Sequence, residues 1–175
     1  AIEAQISLGL DTVVDLTHEI PTFDIRSGAY TLWHAARGFP RDTVHLAVVD
    51  PGVGGTRRGL VLRACQALWV GPDNGLFHFA LADPGSEAFE IDPSTTDVGP
   101  VSSAFHGRDI FAPVAAHLAM GADPREVGPQ ITDPIRLEIA AALGEGDLLR
   151  GEIIHIDRFG NLITNLSAAA VPGAR

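Results

Sequence analysis

A set of apolar runs, each cut short by glycine, proline or a charged residue, constrains this chain more than any other feature. Thr43-Val-His-Leu-Ala-Val-Val49 is almost continuously apolar and stops at Asp50-Pro-Gly, the pattern of a strand buried on both faces of a parallel sheet. Thr12-Val-Val-Asp-Leu16, Leu60-Val-Leu-Arg63 and Ala67-Leu-Trp-Val70 read the same way. Between the first two of these runs, Ala29, Leu32, Trp33 and Ala36 fall at the i, i+3, i+4, i+7 spacing of one helix face. Ser27 is a candidate N-cap there and Gly38 a candidate stop, so the stretch reads as a βαβ unit. A second helix is predicted from about Asp109 to Met120, with Ile110, Phe111, Val114, Ala115, Leu118 and Ala119 as its apolar stripe and Pro113 near its first turn. A short helix is predicted after Asp73-Asn-Gly, burying Leu76, Phe79, Ala80 and Leu81. The alternation predicts an α/β fold with a mostly parallel sheet flanked by helices.

At Pro134 the composition shifts. Strand-like Ile135-Arg-Leu-Glu-Ile139 leads into a small-residue loop, Ala140 to Asp147, and then into a hairpin pattern: Leu149 to Ile156, the turn signal Arg158-Phe-Gly-Asn161, and Leu162 to Leu166. Residues 1–134 are expected to form the α/β domain, and 135–175 a linker and the beginning of a smaller C-terminal β domain. There is no internal repeat, and the longest low-complexity run is Ala168-Ala-Ala170.

Hydrophobic residues make up 46% of the 175 and charged residues 19%, which excludes a disordered chain. No apolar stretch approaches the roughly 20 residues of a membrane span, and the N-terminus lacks the marks of a secretory signal, so a cytoplasmic protein is expected. The net charge is −10 and the 12 basic residues form no stripe, which argues against nucleic acid as a partner. The acidity favours a cationic small molecule over an anionic one. Cys65, the single cysteine, excludes an intramolecular disulfide and reads as a small buried hydrophobe.

In open α/β sheets ligands sit beyond the carboxyl ends of strands, where Asp50-Pro-Gly-Val-Gly54 lies. Gly52, Gly54 and Gly55 allow close approach of backbone to ligand, and Arg57 is placed to fold back toward Asp50. The same residues also suit a strand-ending turn with an ion pair on its rim. Phe105-His-Gly-Arg-Asp109 precedes the second helix, so His106 projects from a helix N-terminus. There it could orient a substrate or handle protons, or it could be a polar neighbour of an Arg108–Asp109 capping pair. Asp15, His18, Asp50, His106 and Asp109 raise a metal-dependent hydrolase as a rival, but no His-x-x-x-His or Cys-x-x-Cys pair anchors such a set. His34, His45 and His155 read as structural, and His78 and His117 are given no role. Gly52-x-Gly54 is too short for a dinucleotide fingerprint.

Several longer stretches occur together: Val14-Asp-Leu-Thr-His-Glu-Ile-Pro21 with Phe23-Asp-Ile, Val48-Val-Asp-Pro-Gly-Val-Gly54 with Arg57-Arg58, Gly71-Pro-Asp-Asn-Gly-Leu76, Phe105-His-Gly-Arg-Asp-Ile-Phe-Ala-Pro113, and Ile156-Asp-Arg-Phe-Gly-Asn-Leu-Ile-Thr-Asn165. In this order they resemble the S-adenosyl-L-methionine hydroxide adenosyltransferases, relatives of the fluorinating and chlorinating enzymes. The resemblance implies hydrolysis of S-adenosylmethionine to adenosine and methionine by attack of water on ribose C5′, with no metal and no organic cofactor. It carries a catalytic set onto Asp50, Arg57 and His106, and substrate contacts onto Phe23, Asp157, Phe159 and Asn161. For Asp157 to Asn161 the plainer reading is a hairpin turn.

The halogenating relatives carry an aromatic hydroxyl in place of the aspartate before Pro51 and a serine near the His106 and Gly107 positions; Asp50 and His106 therefore point to water as nucleophile. The resemblance further implies a homotrimer with the site between subunits. It also implies a Thr-Asp-Phe-Gly segment that nothing before Asp11 matches and a C-terminal domain running past Arg175, so the chain reads as shortened at both ends. A non-catalytic module binding adenosine or S-adenosylmethionine is the main alternative, followed by a metal-dependent hydrolase and a halide-using transferase.

Overall fold

The computed structural model describes residues 12–95, 101–145 and 148–167, and the chain divides into two compact units, 1–136 and 137–175. The first unit contains helix α1 (Ile25–Ala36), strands β1 (Val44–Leu46), β2 (Gly59–Ala64), β3 (Ala67–Pro72), β4 (Glu87–Glu90) and β5 (Gln130–Ile131), and helix α2 (Ala112–Ala119). Among the described residues no helix is long and apolar enough to cross a membrane.

The sheet runs β1-β3-β2-β4-β5. β1 pairs with β3 in parallel, whereas β3–β2, β2–β4 and β4–β5 are antiparallel. The sheet is therefore mixed and mostly antiparallel, which corrects the expectation of a mostly parallel one. The cause lies in the link between β2 and β3. Ala64 pairs with Ala67, leaving only Cys65 and Gln66 to turn the chain, and so short a link joins antiparallel strands alone because a parallel crossover needs a dozen or more residues. Continuous apolarity says nothing of direction, and it reports burial for only some of the runs: Leu60, Val61 and Leu62 are buried, whereas Val44 and Leu46 of β1 are partly buried and Val13, Val14, Leu16 and Val48 are exposed.

The burial has two sources. On one face Val61, Val70 and Phe89 pack with Ile110, Phe111, Val114 and Leu118 of the α2 segment. On the other, Trp69 lies against His45 (ring centroids 4.5 Å apart), Trp33 of α1 (6.3 Å) and Phe77 (6.3 Å). Burial among these rings lowers the His45 pKa, so the ring is neutral at pH 7.

Other expectations also change. Thr12 to Leu16 and Ile135 to Ile139 join no strand ladder. The N-cap of α1 is Asp24, whose Oδ1 accepts from Ser27 N–H, not Ser27 itself. The helix predicted after Asp73 is a single 3-10 turn at Ala80–Ala82, and Phe77 is buried there where Phe79 was expected. Cys65 is exposed at the hairpin tip rather than buried. Ala168 to Ala170 and the residues before Thr12 lie outside the described residues.

The second unit holds two hairpins, β6 (Leu143–Glu145) with β7 (Leu148–Arg150) and β8 (Ile153–Ile156) with β9 (Leu162–Thr164). The latter is the hairpin read from the sequence around Asp157 to Asn161.

Cys65 and Gln66 both have positive φ, 55° and 60°, a conformation that costs an ordinary L-residue about 1–2 kcal/mol and that Asn-Gly adopts readily. The double substitution Cys65→Asn, Gln66→Gly is expected to stabilise the chain by about 1 kcal/mol and raise Tm by roughly 2–4 °C in a thermal melt. An unchanged or lower Tm would show that the turn carries no such strain.

Candidate active site

β1 ends at Leu46, and the chain runs on through Ala47, whose N–H donates to Val70 O (3.0 Å), to Asp50. The loop from Asp50 to Arg57 then returns to the first residues of β2. Within it Gly54 has φ +75°, and a Cβ there would overlap the Ser103 carbonyl oxygen, so glycine alone lets this loop lie against the chain before His106.

The first and last residues of the loop meet. Arg57 Nε donates to Asp50 Oδ1 at 2.9 Å and Oδ2 at 3.0 Å, and Nη2 donates to Oδ2 at 2.5 Å. The pair is nearly dry, the Asp50 side chain being 5% and the Arg57 side chain 11% exposed. The same Nη2 lies 2.7 Å from His106 Nδ1, and the guanidinium sits over the Phe111 ring, 5.1 Å from its centroid. Asp50, Arg57 and His106 thus form one hydrogen-bonded group.

Arginine is only ever a donor, so His106 Nδ1 accepts and the proton of the neutral ring sits on Nε2. Burial lowers the His106 pKa, and the Arg57 charge lowers it further against the opposing pull of Asp50 and Asp109. The ring is therefore neutral at pH 7 and presents Nε2–H as a donor.

His106 and Phe111 reach the same guanidinium because residues Gly107–Phe111 form a wide π turn, closed by Ala112 N–H on Gly107 O. Such turns are rare and cluster at functional sites. Asp109 anchors it: its carboxylate accepts from Arg108 Nε (2.6 Å) and Ser102 N–H (2.8 Å), and these bonds hold its pKa below the usual carboxylate range. The sequence offers the Arg108–Asp109 pair as one of two alternatives for this segment, but it predicts an ordinary helical start and misses the π turn and the Ser102 bond.

Phe23, with φ 65° and 65% of its surface exposed, lines an open cleft of about 1400 Å³ that Asp50 also lines, together with Val48 and Val49. Asp157, Phe159 and Asn161 meet in the β8–β9 turn of the second unit. Asp157 Oδ1 accepts from Phe159 N–H and Asn161 N–H, both at 2.8 Å, and Oδ2 accepts from Asn161 Nδ2 at 2.7 Å. The Asn161 bonds come first among the causes that lower the Asp157 pKa. Phe159 is 78% exposed, with the Arg158 guanidinium 5.0 Å from its ring. Among the described residues no group of three or more His, Cys, Asp or Glu side chains could hold a metal ion.

A nearly dry carboxylate–guanidinium–imidazole group at one end of a mixed sheet, followed in sequence by a small β unit, defines a two-part α/β protein with its polar site on strand-end loops. The chain belongs to the SAM hydroxide adenosyltransferase family: the model of that family's N-terminal domain matches residues 6–128 and that of its C-terminal domain matches 151–175. It is 45% identical over 171 residues to the (R)-S-adenosyl-L-methionine hydrolase of Thermus thermophilus, covering 92% of this chain and 65% of that one. It is 44% identical over 154 residues to the enzyme of the same name from Salinispora tropica, covering 86% and 59%. The crystal structure of an uncharacterized conserved protein from Thermotoga maritima superposes with a TM-score of 0.84 at 36% identity, over 94% of this chain and 64% of that one. The chain thus spans about three fifths of the length of these relatives.

Replacing Arg57 by Met removes the positive charge beside His106 and leaves Asp50 unpaired next to it. The His106 titration midpoint, followed through its ring protons by NMR, is expected to move upward; a midpoint that stays or falls would refute Arg57 as a cause of the depression.

Proposed function

We propose that the chain hydrolyses S-adenosyl-L-methionine to adenosine and L-methionine, with Asp50, Arg57 and His106 as catalytic residues. The observation that carries the reading is the Arg57 guanidinium shared between Asp50 and His106. A water placed beside the group can donate to a free Asp50 lone pair and accept from His106 Nε2–H, which fixes its remaining lone pair toward the substrate. The water oxygen forms a bond to C5′ as the C5′–S bond breaks. The electron pair of that bond stays on sulfur, which leaves as the neutral thioether of methionine, and the water's proton passes to Asp50 and on to solvent. No general acid is needed because the leaving group carries no negative charge.

Phe23, which lines the same cleft as Asp50, would pack near the ribose or sulfonium. Phe159 offers an open ring face for the adenine. Asn161 would read the adenine edge and Asp157 hold the methionine ammonium, each keeping unused acceptor capacity after the turn bonds. The family matches to residues 6–128 and 151–175 support an organisation into an α/β domain, 1–134, and the start of a β domain, 135–175. The reading includes a cytoplasmic homotrimer with its sites between subunits. The exposed rings of Phe23, Phe105 and Phe159 are apolar surface that such a neighbour would cover.

Incubation with the substrate in heavy-oxygen water is expected to yield adenosine carrying the label at its 5′-hydroxyl, with unlabelled methionine. Binding by calorimetry without either product would instead mark a binding module. Asp50→Asn is expected to lower kcat by about 10²-fold or more. Activity should hold above the depressed His106 pKa and fall on acidification below it, because a protonated Nδ1 can no longer accept from Arg57.

A further inference from the structure

The parallel ladder between β1 and β3 stops where the site begins. Its last paired residues are Leu46 and Val70, and continuation would set Val48 opposite Pro72. Proline has no N–H to give, so the next ladder bond, from residue 72 to Ala47 O, is lost just before Asp50. A side chain takes over: Asn74 Nδ2 donates to Val49 O at 2.8 Å, and Asn74 Oδ1 accepts from Leu76 N–H at 3.2 Å. Val49 is the residue immediately before Asp50.

The neighbouring residue grips the other end of the same loop. Asp73 N–H donates to Arg58 O at 3.0 Å. Its carboxylate, on a residue 1% exposed, accepts from Arg58 Nε at 2.9 Å and Nη2 at 2.7 Å, and from Ile135 N–H at 2.8 Å. Arg58 is the residue immediately after Arg57. Asp73 and Asn74 therefore hold the two residues that flank the Asp50–Arg57 loop, and they do so from one turn, Pro72 to Gly75, with Gly75 at φ 98° closing it.

We propose that Asn74 is a positioning residue for the Asp50–Arg57 pair, with Asp73 as its counterpart on the Arg57 side. Functionally this rests on the hydrolase reading above; structurally it stands without it. A guanidinium that must meet both carboxylate oxygens leaves little tolerance for drift of either backbone, and a loop whose ends were tied only by that ion pair would have nothing else to set its register. Asn74 supplies that constraint at Val49 O, one step beyond the Ala47 O that Pro72 leaves without a ladder donor.

Two variants separate this role from simple turn formation. Asn74→Asp keeps the acceptor for Leu76 N–H and deletes the donor to Val49 O, whereas Asn74→Ala removes both. The readout is solvent exchange of the Arg57 Nε–H by heteronuclear NMR on the unliganded chain, so it decides the proposal whether or not S-adenosylmethionine is the substrate. Both variants are expected to speed that exchange by about fivefold or more while the β2 and β3 amides keep the parent's protection. If Asn74→Asp leaves Arg57 as protected as in the parent, or if the strand amides speed up in step with it, the positioning role is overturned. Where the parent turns over S-adenosylmethionine, both variants should lower kcat with KM changed by no more than about twofold, as loss of a purely transition-state interaction does; a rise in KM at unchanged kcat would also overturn it. A parent that yields no adenosine sinks the hydrolase reading and leaves the exchange result to decide the positioning role.

Discussion

One guanidinium organises this end of the molecule. Arg57 serves the Asp50 carboxylate through Nε and Nη2, the His106 ring through Nη2, and the Phe111 face through its plane. Taking two charges this far out of water costs several kcal/mol for each ion, and a well-packed apolar pair often does as well or better for stability. What the pair offers instead is geometry. Each partner is expensive to leave alone, roughly 3–5 kcal/mol for a buried charge stripped of its counter-ion, so the loop between them is committed to returning on itself, and the segment before α2 must present a ring to the same cation.

Those demands explain the irregular features nearby. An α-helical start at Gly107 would turn His106 and Phe111 away from each other; the π turn, with its extra residue, brings both onto Arg57. Asp109 holds that turn from the N-terminal side through Ser102 N–H. Gly54 lets the loop touch the chain ahead of His106. Pro72 ends the ladder, and Asn74 continues it by other means. Each of these departures from regular structure lies on a segment that carries or holds a member of the group, as expected when local rules yield to a functional site.

Much of this was legible in the sequence, for reasons that differ by element. The apolar runs at Leu60 and Ala67 and the stripe from Ile110 to Leu118 report burial, which is a property of composition and period, and their apolar side chains are buried apart from the half-buried Leu68, while Ala119 at the end of the stripe is exposed. Strand direction is a property of connections. The two residues between Ala64 and Ala67 carried that information, but neither is a glycine or a customary turn former, so the hairpin was hidden by the residues that make it. The Asp50–Arg57 contact could be anticipated because a Gly-rich loop joins them. The link to His106, 49 positions further on, was legible only through the family's motifs, since no local pattern relates the two. Asn74 lies within Gly71-Pro-Asp-Asn-Gly-Leu76, where the sequence predicts only a helix to follow, because nothing local tells an asparagine that starts a helix from one that clamps a distant carbonyl.

The charge balance of the group matches the chemistry proposed for it. Asp50 and Arg57 cancel, and a depressed pKa keeps His106 neutral, so the three together present donors and acceptors with no net charge. A sulfonium brings its own positive charge and loses it as the C5′–S bond breaks, so a fixed anion tuned to the cation would stabilise the ground state more than the transition state and slow the reaction. A compensated carboxylate avoids that penalty while keeping a lone pair for the water. The long-range attraction for a cationic substrate can then come from the rest of the chain, whose net charge is −10, leaving Asp50, Arg57 and His106 to orient the nucleophile.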